Sequence, residues 1–171
     1  MREQEIESIF PEAHHIRKPD LRTAVFRAWL LGIEKGGWHR IDTIPFTLLI
    51  PGCGISLVQH TRIVTRMAMS IGDTIGEVNT DYLVAGGLTH DVGKLLEYQG
   101  KGKEFQRSEI GRLIRHPVSG YALAVEAGLP LEVCHIIAAH SSEGESVERS
   151  KEAIIIHHCD FIHFEIVKSL T

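Results

Sequence analysis

Residues 86–96 read GGLTHDVGKLL and set His90 and Asp91 side by side at the close of an otherwise apolar segment. Successive residues of an α-helix point about 100° apart, so these two side chains cannot share one helix face. Either the helix ends there, or something lies between the two directions and reconciles them.

Outward from this stretch the signals are helical. The segment that contains it, NTDYLVAGGLTHDVG, opens on a polar cap and ends around Gly93. Before it, SLVQHTRIVTRMAMSIG opens at Ser56 and keeps Leu57, Val64, Ala68 and Ile71 near one face. Earlier still, DLRTAVFRAWLLGIEKGG has Asp20 as its expected cap and glycines where it should stop. After it, HPVSGYALAVEAG has proline at the first helical position and ends on Gly128, the usual start and stop asymmetry. LPLEVCHIIAAH follows, with Pro130 near its start, and SKEAIIIHHCDFIHFEIVKSL runs towards the C-terminus. EAIIIHH is β-branched, but its continuation to Leu170 favours a long buried helix. No stretch offers strand alternation bounded by hairpin turns. EYQGKGKEFQRSE and SSEGESVERS read as exposed loops, and there is no internal repeat. The reading is one all-α domain, with residues 1–45 an accessory helical layer beside a core at 56–165.

Composition bounds the chemistry. The 171 residues are enough for one sizeable core, and a formal net charge of −4 gives no global case for nucleic-acid binding. Cys53, Cys134 and Cys159 are odd in number and widely spaced, so they read as reduced thiols of a cytoplasmic protein. No apolar run approaches a bilayer span; the longest, TIPFTLLIPGCGISLV, is broken by proline and glycine. The outlier is histidine, with 11 residues, a hint of metal chemistry.

Metal-capable side chains fall on successive helices: His60, then His90 with Asp91, His116 before Pro117, His140, and Asp160 within the last helix. Nitrogen and carboxylate oxygen together suit Fe, Mn, Co, Ni or Zn. Six such groups buried without a cation would each need neutralising or solvating, which is costly.

The order H…HD…H…H…D, with the boxes THDVGK and RHPVSGYALA, resembles the HD metal-dependent phosphohydrolase superfamily over residues 56–165. The resemblance implies an HD-domain helical bundle with additional N-terminal helices. It implies one metal on His60, His90, Asp91 and Asp160, with Asp91 bridging to a second on His116 and His140. One or two divalent transition ions are therefore expected. In the family, the position of Lys94 contacts a substrate phosphate, so Asp91 and Lys94 are the expected catalytic residues. The implied reaction is hydrolysis of a phosphate ester of a nucleotide or related small metabolite, by attack of a metal-bound hydroxide. A mixed-valence di-iron oxygenase and a non-catalytic metal-binding sensor are the alternatives, and a homo-oligomer is left open. One departure stands out: Ser141, Ser142 and Glu143 follow His140 where some branches have a histidine and a glutamate, which argues against a third metal.

Lys94 one turn beyond the ligands would be repelled by the cations unless an anion lay between them. Lys101, Lys103, Arg107, Arg112 and Arg115 follow it against Glu97, Glu104 and Glu109, a net positive segment that could guide anions. His14, His15 and His39 read as surface or capping residues and His135 as a satisfied core histidine. His157 and His163 flank Asp160 at three-residue spacing, so either could orient it or bind substrate. Gly86 and Gly87 would let helices pack closely.

Overall fold

The computed structural model describes residues 1–101 and 104–171, with Lys101 as backbone alone; Lys103 of the basic segment lies outside the described residues. The chain opens with α1 (Glu3–Ile9), a 3-10 turn (Pro11–His15) and α2 (Pro19–Lys35). A long loop then leads to α3 (Leu57–Ile75) and α4 (Thr80–Thr89). Beyond the His90–Asp91 pair lie α5 (Lys94–Glu97), strands β1 (Tyr98–Lys101) and β2 (Glu104–Arg107), and α6 (Glu109–Leu113). α7 (His116–Ala127), α8 (Leu131–Ala139), a second 3-10 turn (Ser142–Gly144) and α9 (Lys151–Ser169) complete an all-α bundle carrying one small hairpin.

The helix starts follow from capping chemistry. Ser56 Oγ accepts from the Gln59 amide, Asn79 Oδ1 from the Tyr82 amide and Ser150 Oγ from the Ala153 amide, each relieving an orphan N–H of the first turn. Gly128 stops α7 in the left-handed conformation at φ 84°. Asp20 is not the cap of α2: Pro19 opens the helix, Lys18 stands at the cap position, and Asp20 lies in the first turn. Proline, which has no amide hydrogen to satisfy and a preset φ, wins that place.

The expected loop at EYQGKGKEFQRSE contains the hairpin, with Tyr98 opposite Arg107 and Lys101 opposite Glu104. Two four-residue strands with little apolar alternation give no sequence pattern. Tertiary contact supplies the stability instead, through Phe105 stacked on Trp38 at 6.1 Å between ring centroids. SSEGESVERS is not wholly exposed either, since Ser141 and Gly144 are buried. Arg149 holds the segment by donating from Nε to the Ala139 carbonyl and from Nη2 to that of Ser141, at 2.7 and 3.1 Å.

The main apolar cluster joins Phe10, Trp29 and Ile33 of the N-terminal layer to Leu88, Leu123 and Ile137, and Trp29 Nε1 donates to the Leu88 carbonyl at 2.8 Å. Residues 1–45 are thus part of the same core that carries α4, α7 and α8. A second cluster of Val64, Ala68, Leu83, Ile136 and Ile156 binds α3, α4, α8 and α9 together. Close approach is built in at Gly87: a Cβ there would stand 2.9 Å from Thr65 Oγ1 of α3. No described helix is long and apolar enough to cross a membrane.

Candidate metal centre

The paired His90 and Asp91 are reconciled by a helix end. α4 stops at Thr89, His90 is its C-terminal flank, and the chain turns through Asp91–Gly93 before α5 resumes at Lys94. At this helix end both side chains reach one buried pocket, with His90 Nε2 3.4 Å from Asp91 Oδ2. Gly93 permits it, because a Cβ there would collide with the carbonyl of His116 at the head of α7.

All six sequence-selected residues converge. Nε2 of His60 lies 3.3 Å from Nε2 of His90, 3.3 Å from Asp91 Oδ2 and 3.1 Å from Asp160 Oδ1. Nε2 of His116 lies 3.2 Å from Nε2 of His140, and these two lie 3.3 and 3.6 Å from Asp91 Oδ1. Asp91 therefore divides its two oxygens between two clusters. His60, His90 and Asp91 form one group, and Asp91, His116 and His140 another, each with donor atoms within 4.8 Å of one another.

The ring orientations show what these clusters want. Nδ1 of His90 is 2.7 Å from the Gly87 carbonyl, and Nδ1 of His140 is 2.8 Å from that of Ile137. A carbonyl only accepts, so both rings donate through Nδ1 and, when neutral, turn a lone pair inward from Nε2. His116 does the same through Glu97, whose Oε2 accepts from both its Nδ1 and its backbone N–H, at 3.0 and 2.6 Å. Burial depresses the His116 pKa, with Glu97 opposing, so this ring favours the neutral form. Asp91 Oδ1, fully buried, makes no hydrogen bond with any of the described residues. Lone pairs of two imidazoles and a carboxylate facing one another repel unless a cation sits among them, so the residues fit a divalent metal.

Electrostatics support the same reading. Burial would favour a protonated Asp91, but Lys94 and His90 hold its carboxyl well below the usual range. Asp160, likewise opposed by burial, is held low by the His60 hydrogen bond. At His60 burial favours the neutral ring, and Asp160 and Asp91 outweigh it to raise the pKa.

Lys94 finds its anion within the protein. Its ammonium donates to Asp91 Oδ2 at 2.6 Å and to the Phe46 carbonyl at 2.7 Å, and Asp91 outweighs burial to keep it charged. The negative group beside the lysine is thus Asp91 itself.

Several contributors are silent in the sequence. Glu97, there read only as a charge in a basic segment, is buried and clamps His116; its signal is an acid at the end of the short run KLLE. Phe46, from the loop after α2, stacks on His60 at 4.7 Å between centroids. His163 orients His60 rather than Asp160, with the two Nδ1 atoms 2.7 Å apart. His157 donates from Nδ1 to the His140 carbonyl at 2.6 Å, fastening α9 to the end of α8. His135 accepts from the Ser150 amide, while His14, His15 and His39 lie exposed.

A cavity of about 260 Å³ adjoins the centre, with Lys94, His116 and Asp160 among its lining residues. The model of the HD domain matches residues 57–165. The chain belongs to the HD-domain family. The span covers α3 to α9 and includes every residue of both clusters, so the helices that build the centre are those of the HD domain. The chain is 32% identical over 111 residues to a dihydroneopterin 2',3'-cyclic phosphate phosphodiesterase of Methanocaldococcus jannaschii, a match covering 61% of this chain and 44% of that one. It is 34% identical over 99 residues to the 3'-5' exoribonuclease YhaM of Listeria monocytogenes, covering 58% of this chain and 28% of that one. The matches thus span less than half the length of these relatives. No solved structure matches the chain.

Proposed function

We propose that this HD domain is a metal-dependent phosphohydrolase acting on a phosphate ester of a nucleotide or related small metabolite. The observation that carries the reading is Asp91, a buried carboxylate shared between two sets of inward-facing imidazole nitrogens beside an open cavity. His60, His90, Asp91 and Asp160 would hold one ion, and Asp91, His116 and His140 a second. Divalent metal so held supplies Lewis-acid polarisation of a phosphoryl group and acidifies water near neutral pH.

The chain's own residues do the rest. Glu97, His163 and the carbonyls of Gly87 and Ile137 fix the four imidazoles, so that little reorganisation accompanies charge development. Lys94 spends two of its three N–H donors on Asp91 and Phe46, and the third is available to a phosphoryl oxygen in the cavity. The relatives' names, a cyclic-phosphate phosphodiesterase and an exoribonuclease, point to phosphodiester bonds.

A panel of phosphate monoesters, linear diesters and nucleoside cyclic phosphates, assayed with Mn, Co, Ni and Fe, tests the proposal. Metal-dependent hydrolysis is expected, with Asp91→Ala losing turnover and bound metal together. Absence of hydrolysis with every metal and ester would overturn the reading.

A further inference from the structure

Tyr98 follows α5 and opens β1, and it packs in the main apolar cluster. Only 5% of its surface stays accessible, and it lines the cavity beside the metal centre. A buried phenol usually spends its hydroxyl on a protein partner. Here the hydrogen bonds of the neighbouring Lys94, Glu97 and His116 go elsewhere, and the Tyr98 hydroxyl pairs with none of the described residues. The fully buried unpaired side-chain atoms among these residues are Thr61 Oγ1 and Asp91 Oδ1, so Tyr98 Oη keeps some open surface. On a side chain so enclosed, the cavity is where that surface lies. Burial pushes the phenol pKa up, and the charges of Lys94, Asp91, Glu97 and Arg115 all act on it, which puts the hydroxyl within electrostatic reach of the centre.

Cleavage of an alkyl phosphate ester creates a departing alkoxide, which a positioned proton donor stabilises. The carboxyl groups of Glu97 and Glu143, which also line the cavity, are committed as acceptors. Glu97 Oε2 accepts from the Nδ1 and the amide of His116, and its Oε1 lies 3.3 Å from Arg115 Nε. Glu143 accepts from the hydroxyls of Ser141 and Ser142 and lies 3.5 Å from Arg115 Nη1. Carboxylates surrounded by donors have no proton to give. Lys94 is tied to Asp91, whose charge it balances only while it stays protonated. Thr47 brings an aliphatic hydroxyl, no more acidic than the alcohol that must leave. A phenol, with an ordinary pKa of about 10, is a stronger acid than any such alcohol, so its proton passes downhill to an alkoxide.

We propose that Tyr98 is a catalytic residue, the general acid that protonates the departing ester oxygen. As the bond between phosphorus and that oxygen breaks, its electron pair stays on the oxygen, which takes the Tyr98 proton and leaves as an alcohol. Water supplies the hydroxyl that bonds to phosphorus, and the proton it gives up restores the phenol. Lys94 and Arg115, whose charges favour the ionised phenol, stabilise it in the interval. The inference rests on the hydrolase reading and adds to it the residue that serves the leaving group.

Changing the leaving group tests this. Methyl and p-nitrophenyl esters, both of phosphate and of a nucleoside monophosphate, are compared on Mn-loaded protein, because p-nitrophenoxide departs without a proton and methoxide does not. Tyr98→Phe should lower kcat/KM for the methyl ester by about a hundredfold or more, the range of general acid catalysis, and barely change it for the p-nitrophenyl ester. Its metal content and thermal midpoint should match the parent's. A structural or phosphate-binding role would slow both esters alike. Equal losses, or no loss on either, would overturn the inference and leave the hydrolase reading intact. So would a wild-type protein that cleaves the p-nitrophenyl ester and not the methyl one. If Tyr98→Phe fails to fold, replacing Tyr98 by difluorotyrosine nearly keeps its size and makes the phenol more acidic. The alkaline limb of the methyl-ester rate profile should then move to lower pH and that of the p-nitrophenyl ester should stay, and an unmoved limb would overturn the inference. Hydrolysis of no ester with any metal would overturn the hydrolase reading and this inference together.

Discussion

At Lys94 a single side chain shows how this centre is balanced. Its ammonium is buried against Asp91 and the Phe46 carbonyl, so removing it strands a buried carboxylate. Breaking such a pair costs about 3–5 kcal/mol, but a bound cation would compensate the same charge. Lys94→Ala should therefore destabilise the metal-stripped protein by about 3 kcal/mol and the metal-loaded protein by clearly less, as read from urea unfolding in chelator and in excess Mn. Equal losses in the two conditions would separate Lys94 from the metal centre. His163 gives a second residue-scale test. Burial, and then His60, push its pKa down to about 4, against an ordinary imidazole value of about 6.5. Between those values the unfolded chain takes up a proton that the folded one refuses. The contribution is complete above pH about 6.5, falls as the pH drops through that window, and levels off below about 4. Metal-stripped protein should lose urea resistance between pH 7 and pH 5, and His163→Phe should flatten that loss. An unchanged slope in the variant would place the titration elsewhere.

Among the elements, the turn between α4 and α5 is the one on which the site depends. It sends His90 and Asp91 into the same pocket and lies against the head of α7, where His116 begins. Gly93 has φ −64°, a conformation open to any residue, so its role is space: a Cβ would run into the His116 carbonyl and stand 2.6 Å from the Gly120 nitrogen. Backbone cannot yield as a side-chain tip can. Gly93→Ala should cost about 3 kcal/mol, at the high end of overpacking, and should weaken metal binding by displacing His116. A thermal midpoint and metal affinity both equal to the parent's would refute this. Helices carrying caps and 3.6-residue periodicity were legible in the sequence, because Ser56, Asn79, Ser150 and Gly128 act locally. Asp20 misled because Pro19 beside it satisfies the same first turn more cheaply. The hairpin at Tyr98–Arg107 escaped because its strands are held by pairing and by Trp38, neither of which leaves a local pattern.

On the scale of the whole molecule, the candidate ligands were legible because their chemistry is unusual in apolar helices: His60, His90, Asp91, His116, His140 and Asp160 all arrive at one place. Their supports were less so. Glu97, Phe46 and Arg115 look like ordinary residues until folding sets them against partners 19, 14 and 18 positions away, and His163, read as a neighbour of Asp160, meets His60 across 103 positions. Such long-range pairing links the bundle's stability to its centre. α3, α4, α7, α8 and α9 each bring a candidate ligand or its flank to the same point, where inward lone pairs repel one another unless a cation lies among them. A metal that binds the folded chain and not the unfolded one stabilises by RT ln(1 + [M]/Kd), about 2.7 kcal/mol at a hundredfold excess over Kd. Chelation should therefore lower the thermal midpoint by several degrees for a chain of this length, and stoichiometric Mn, Co, Ni or Fe should restore it. The shift should vanish in Asp91→Ala, which takes an oxygen from both clusters at once, and should only shrink in His140→Ala, which spares the first. A midpoint indifferent to chelator and to every ion would mean that the imidazoles and carboxylates are held by hydrogen bonds alone, and both proposals about the cavity beside them would lose their foundation.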